Sequence, residues 1–163
     1  MDSKSRLTVE WDSERLSLSS LSQENVSEFI TNSWRTDNSG NDLVLYTQSS
    51  DTMYEPFSFS PSILVQDEWA WRLMGLSFSN LQNIPIEYLS PLTWREKTQD
   101  NGPLLRDVRI VVTGPEDIQV PAGEFQAWKV SLSNGENAWY AFEEPHILLR
   151  FDSQMVNYLL SEN

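Results

Sequence analysis

Along most of the chain, apolar residues recur at every second position, in runs of strand length cut by Gly, Pro, Asn, Asp and Ser. That period gives an extended strand one core face and one wet face, and it differs from the three-to-four spacing of an amphipathic helix. Leu7, Val9 and Trp11 share one such face, and after the polar turn Asp12-Ser13-Glu14 residues 16–18 return as a hairpin arm. Asn38-Ser39-Gly40-Asn41 is a strong turn signal between arms at 29–36 and 43–48. Residues 19–30 keep two readings. Ser20 with Gln23 resembles a capping box and Val26, Phe29 and Ile30 have helical spacing, while the downstream turn favours strands.

Residues 49–62, with Pro56, Pro61 and many serines, read as an extended connection with an interrupted ladder. At 68–74, Trp69, Trp71 and Leu73 alternate with Ala70 and Arg72, which predicts a half-buried strand. Residues 76–82 read as a loop or helical turn. Pro85 and Pro91 bracket a short extended piece with Ile86 and Tyr88, and Trp94 opens the strand after it. Asp100-Asn101-Gly102-Pro103 is a tight turn, followed at 104–113 by a β-branched run with the character of a central strand.

The last third is the clearest. Turns at Gly114-Pro115, Pro121-Ala122-Gly123, Asn134-Gly135, Glu144-Pro145 and Asp152-Ser153 cut it into a meander with strands at 118–120, 125–133, 138–142, 147–151 and 155–160. In the closing pair, Ile147, Leu149 and Phe151 are expected to meet Val156, Tyr158 and Leu160 in one core, with Arg150 on the other face. The expected fold is mainly β: a curved antiparallel meander sheet or half-open barrel with at most one or two short helices. No repeat or long linker divides the chain, so residues 1–163 are expected to form a single domain.

The string VPAGEFQAWKV, residues 120–130, resembles a motif of the bacterial exported or lipoprotein domain-of-unknown-function 3108 family and its relatives. There a Val-Pro-Ala-Gly-x-Phe turn precedes a hairpin, a Trp-Tyr strand and a closing β pair. Ala138-Trp139-Tyr140 and the strands at 147–151 and 155–160 follow that order, so the resemblance covers about residues 114–160. It implies a half-open β-barrel similar to envelope lipoprotein carriers, and a location in the periplasm or at the cell surface. No catalytic residue comes with it. Without the family, Pro121 fixes φ, Gly123 supplies φ > 0 and Phe125 caps the core.

Composition then narrows the function. Of 163 residues, 24 are acidic and 11 basic, and the formal charge of −13 repels nucleic acid and anionic lipid. The absence of cysteine excludes thiol catalysis, disulfides and Cys-ligated metals. No apolar run reaches the roughly 20 residues of a membrane-spanning helix, and the opening MDSKSRLTVEW lacks the apolar stretch of a signal peptide.

The sole histidine, His146, follows Glu144-Pro145 and is expected to lie exposed in a turn, outside any catalytic relay. The pairs Asp67-Glu68, Glu116-Asp117 and Glu143-Glu144 read as solvated turn charges, because neighbours on a strand point apart and do not form a glycosidase pair. Residues 37–42 approach an oxygen-rich Ca²⁺ loop only loosely, and a hairpin turn explains them as well. Seven tryptophans supply large core side chains. Trp94 and Trp139, each beside a turn or break, are the candidates to face a ligand.

No catalytic residue, cofactor or metal is assigned. The expectation is a non-enzymatic extracytoplasmic module binding an apolar small molecule or a protein partner on the concave face of the sheet, without nucleic acid and without crossing a membrane. An accessory subunit docking onto a larger assembly is the alternative, and a carbohydrate-active enzyme, needing two convergent carboxylates beside an aromatic platform, is the third.

Overall fold

The computed structural model describes residues 4–12, 17–26, 31–39, 42–49, 52–53, 56–60, 62–78, 84–90, 105–153 and 157–161. They are mainly β, with one α-helix of four residues among them, as the alternating pattern predicts. The chain divides into two compact units, Met1–Leu64 with Leu89–Leu105 and Val65–Tyr88 with Arg106–Asn163. The divisions fall at or within strands.

The first unit is built on a six-stranded antiparallel sheet of successive hairpins: β1 (Lys4–Asp12), β2 (Ser17–Val26), β3 (Thr31–Ser39) and β4 (Asp42–Ser49). The short strands β5 (Thr52–Met53) and β6 (Phe57–Phe59) both return to β4. The ambiguous segment thus resolves as strand up to Val26. Leu43 and Leu45 pair with Phe59 and Phe57, and Leu43, Leu45 and Phe59 are buried while Val44 and Tyr46 are only half covered, the period-two pattern of a one-sided sheet. On the β3–β4 pair, Arg35 reaches Asp37 at 2.9 Å and lies 4.8 Å from the ring centre of its cross-strand partner Tyr46.

The second unit carries a curled, half-barrel sheet of seven strands, whose spatial order is the chain order: β7 (Leu64–Val65), β8 (Ile84–Leu89), β9 (Leu105–Val120), β10 (Gly123–Leu132), β11 (Asn137–Ala141), β12 (Leu148–Asp152) and β13 (Asn157–Leu159). This is the predicted meander with two corrections. Gly114-Pro115 does not end a strand, because β9 runs through it for 16 residues. The register passes from Lys129↔Thr113 to Ala127↔Glu116, so Gly114 and Pro115 together oppose Trp128 as a bulge, a place where the missing Pro N–H removes no ladder bond.

The second correction is at 69–72, where the predicted strand is the helix α1 (Trp69–Arg72). The amides of Trp71 and Arg72 bond to the Glu68 carbonyl and that of Leu73 to Trp69, while the Glu68 and Arg72 side chains pair one turn apart. Trp69, Ala70 and Leu73 are buried, the spacing of a helical face.

Val108, Ile110, Val112, Val130, Leu132, Ala138 and Tyr140 are buried on one side of the sheet, and α1 with Phe78 covers that side. Trp69 meets Phe151 edge-on at 5.5 Å, Phe78 lies 4.6 Å from Tyr140, and the Tyr140 hydroxyl donates to the Ala70 carbonyl at 2.7 Å. Burial raises the Tyr140 pKa, so this donor keeps its proton.

The Pro121-Ala122 turn closes as predicted, with Gly123 at φ +132° and the Ala122 amide bonded to the Leu160 carbonyl. A Cβ on Gly123 would meet nothing nearer than the Phe125 ring at 3.8 Å, so a side chain here is opposed by backbone conformation and not by space. Gly123→Val is expected to cost more than about 1 kcal/mol in denaturant melts. An unchanged midpoint would contradict the positive φ.

Candidate functional site

Trp139 lies on β11 on the side of the sheet opposite Tyr140, and it is buried. Its Nε1 donates to Glu116 Oε1 at 2.6 Å. Lys129 Nζ from β10 and the Arg150 guanidinium from β12 sit 5.1 and 4.8 Å from the ring centre. Arg150 in turn donates to both carboxylate oxygens of Asp152, and this hydrogen bonding raises its pKa. The ring's polar edge and π-system are thus occupied within the fold, and Trp139 is not a free stacking platform. Trp94, the other predicted ligand-facing residue, lies outside the described residues.

Leu149 joins Trp139 and Ala127 in a cluster extended by Ile118, Phe125, Ala141 and Leu160. The β11–β12 register shifts between Trp139↔Arg150 and Tyr140↔Leu148, which places Leu149 beside Trp139 while Phe151 packs on Trp69 and Tyr158. Ile147, Leu149 and Phe151 therefore do not share one face, and Val156 lies outside the described residues. Both sides of β12 are covered, yet Arg150 keeps a partly exposed side chain. Leu149→Asp is expected to cost several kcal/mol, against roughly 1 kcal/mol for Arg150→Asp, which loses an ion pair and a cation–π contact at the surface. Paired thermal melts compare them. Equal losses would mean that Arg150 is part of the packed interior.

Next to this cluster, the β9–β10 hairpin lines an open groove of about 450 Å³ with three cross-strand pairs: Asp117 with Gln126, Ile118 with Phe125, and Gln119 with Glu124. Ile118 and Phe125 are half-buried, and the four polar residues are exposed. The two charged lining residues, Asp117 and Glu124, are both acidic.

On the α1 side of the sheet, two carboxyls converge in the interior. Glu136, in the turn before β11, is 5% exposed and accepts from Trp69 Nε1 at 2.5 Å and from the Tyr88 hydroxyl at 2.6 Å. Burial and then the Glu136 charge raise the Tyr88 pKa, so this hydroxyl remains a donor. Asp67, 2% exposed, precedes α1 at φ 61°. Among the described residues, its Oδ1 has no hydrogen-bond partner. Desolvation raises its pKa to about 6, with a hydrogen bond from Ser153 opposing and the Glu136 charge adding to the rise. Tyr158, stacked on Phe151, is raised by burial and by the Asp67 charge.

The pair has aromatic surroundings, as a glycosidase site requires, but both carboxyls are buried and Glu136 already bonds through both oxygens. Their place is in the interior, holding α1 and β8 to the turn before β11. The predicted solvated charges at Asp67-Glu68 are thus corrected to buried ones, whereas Glu116, Asp117, Glu143 and Glu144 are exposed as predicted. His146 is also corrected: it is half-buried, its Nδ1 lies 2.9 Å from the Ala141 carbonyl, and its ring contacts Phe78. Among the described residues, no group of three or more His, Asp or Glu is arranged to hold a metal ion.

Sequence reasoning did not single out Glu136. It stands alone after Asn134-Gly135, and its partners lie 67 and 48 residues away, so no local spacing marks it. No family model, curated protein or solved structure matches the chain.

Proposed function

We propose that the chain is a non-enzymatic, extracytoplasmic binding module whose partner is another protein, docked at the groove of the β9–β10 hairpin. The observation that carries this reading is the contrast between the filled α1 side of the sheet and the open groove at the β9–β10 hairpin. The α1 side is filled by Trp69, Phe78, Tyr140 and Phe151, whereas the hairpin offers an open groove with an apolar centre at Ile118 and Phe125. A filled interior favours a macromolecular partner over an enclosed apolar ligand. The acidic lining and the net charge of −13 suit a basic partner segment that carries one apolar side chain. The extracytoplasmic location is supported by the resemblance of residues 120–130 to the exported family.

Charge reversal tests the site without touching the core, since Asp117 and Glu124 are exposed. In quantitative co-purification from the source organism, the double variant Asp117→Lys with Glu124→Lys is expected to lose at least about tenfold of a stoichiometric partner, and the wild-type complex to weaken as salt rises. A partner retained equally by both proteins would place the interface elsewhere.

A further inference from the structure

Asp67 is a buried carboxyl, 2% exposed. It occupies the left-handed region at the turn between β7 and α1, one oxygen lacks a hydrogen-bond donor among the described residues, and the Ser153 side chain from the β12–β13 connection bonds to the carboxyl. The titratable groups coupled to it are Glu136 from the turn before β11, whose charge raises the Asp67 pKa, and Tyr88 from β8 and Tyr158 from β13, whose pKa values the Asp67 charge raises. Glu68, its neighbour, is paired with Arg72 on α1. When ionised, Asp67 confronts the Glu136 charge in a dry site. A proton on it removes that repulsion and the demand for a further donor.

We propose that Asp67 is a proton-dependent latch for α1: the neutral carboxyl seats the turn and helix on the sheet, and ionisation loosens them. The turn is the element that moves, because the Glu68 carbonyl receives the amides of Trp71 and Arg72 and the Val65 carbonyl receives that of Glu68. Releasing residues 66–68 therefore frees the helix, while the β10–β11 ladder remains. The folded carboxyl holds its proton up to about pH 6, against an ordinary value of 3.8. Between those values the closed form binds the extra proton, so closure is strongest at the acid end and weakens as pH rises through about 6.

Hydrogen exchange tests this in the intact chain. The protection of the Trp71, Arg72 and Leu73 amides is measured relative to the β10–β11 ladder, at about pH 5 and about pH 7.5, for the wild type and Asp67→Asn. Asn tolerates the left-handed conformation and cannot ionise. The relative protection of the wild type is expected to fall about tenfold or more between the two pH values, and that of Asp67→Asn to stay level. A wild-type ratio that does not change with pH overturns the latch, as does an equal fall in the variant. The wild-type series decides alone if the variant does not fold.

Discussion

Glu136→Ala is expected to destabilise the second unit by roughly 3–5 kcal/mol, because it leaves the Trp69 indole N–H and the Tyr88 hydroxyl buried without their acceptor. Relief of the repulsion between Glu136 and Asp67 offsets only part of that loss, since the two donors and the new cavity remain. Glu136→Gln keeps one acceptor oxygen, and the Tyr88 hydroxyl can turn to accept from the new amide, so its cost is expected to fall between wild type and Ala. Urea denaturation followed by tryptophan fluorescence orders the three proteins. A loss under about 1 kcal/mol for the Ala variant would show that the carboxylate is replaceable by water.

Gly114→Val is expected to cost at least several kcal/mol and to disturb the β9–β10 register. At Gly114 a Cβ would stand 2.8 Å from the Ala127 carbonyl oxygen and 3.3 Å from Trp128 Cα, backbone atoms that cannot turn aside, and φ is +134°. Gly135 supplies the control. It has φ +97° but open space around the missing side chain, so Gly135→Ala is expected to lose only about 1 kcal/mol, the conformational part of the penalty. Similar losses at both positions in thermal melts would mean that the bulge has room for a side chain.

The meander was legible because its turns are written in local chemistry. Pro121-Ala122-Gly123 and Asn134-Gly135 mark reversals in their own residues, and the structure places β10 and β11 on either side of the second. Gly114-Pro115 has the same composition and a different outcome, since a bulge and a turn both accommodate a positive φ and a missing N–H. Helix α1 was misread for a related reason. Four residues are too few to separate a period of 2 from one of 3.6, and Trp69-Ala70-Trp71-Arg72 satisfies both until Leu73 shows which side is buried.

The candidate sites were less legible than the fold. Asp67 looks like a turn charge because burial of a carboxyl is decided by distant partners: Ser153 for Asp67, and for the neighbouring Glu136 the donors Trp69 and Tyr88. Trp139 was singled out because it adjoins a turn, but the Lys129 and Arg150 that surround it are its cross-strand neighbours, a relation that depends on register and not on spacing.

Native mass spectrometry of the protein purified from its own source bears most directly on the proposal that it docks another protein at the β9–β10 groove. The expected spectrum contains a complex whose added mass is that of a second, different polypeptide, released as salt is raised and missing from the Asp117→Lys, Glu124→Lys double variant. A retained small apolar molecule, with no bound polypeptide, would contradict the docking reading and return the filled side of the sheet to consideration as a ligand site.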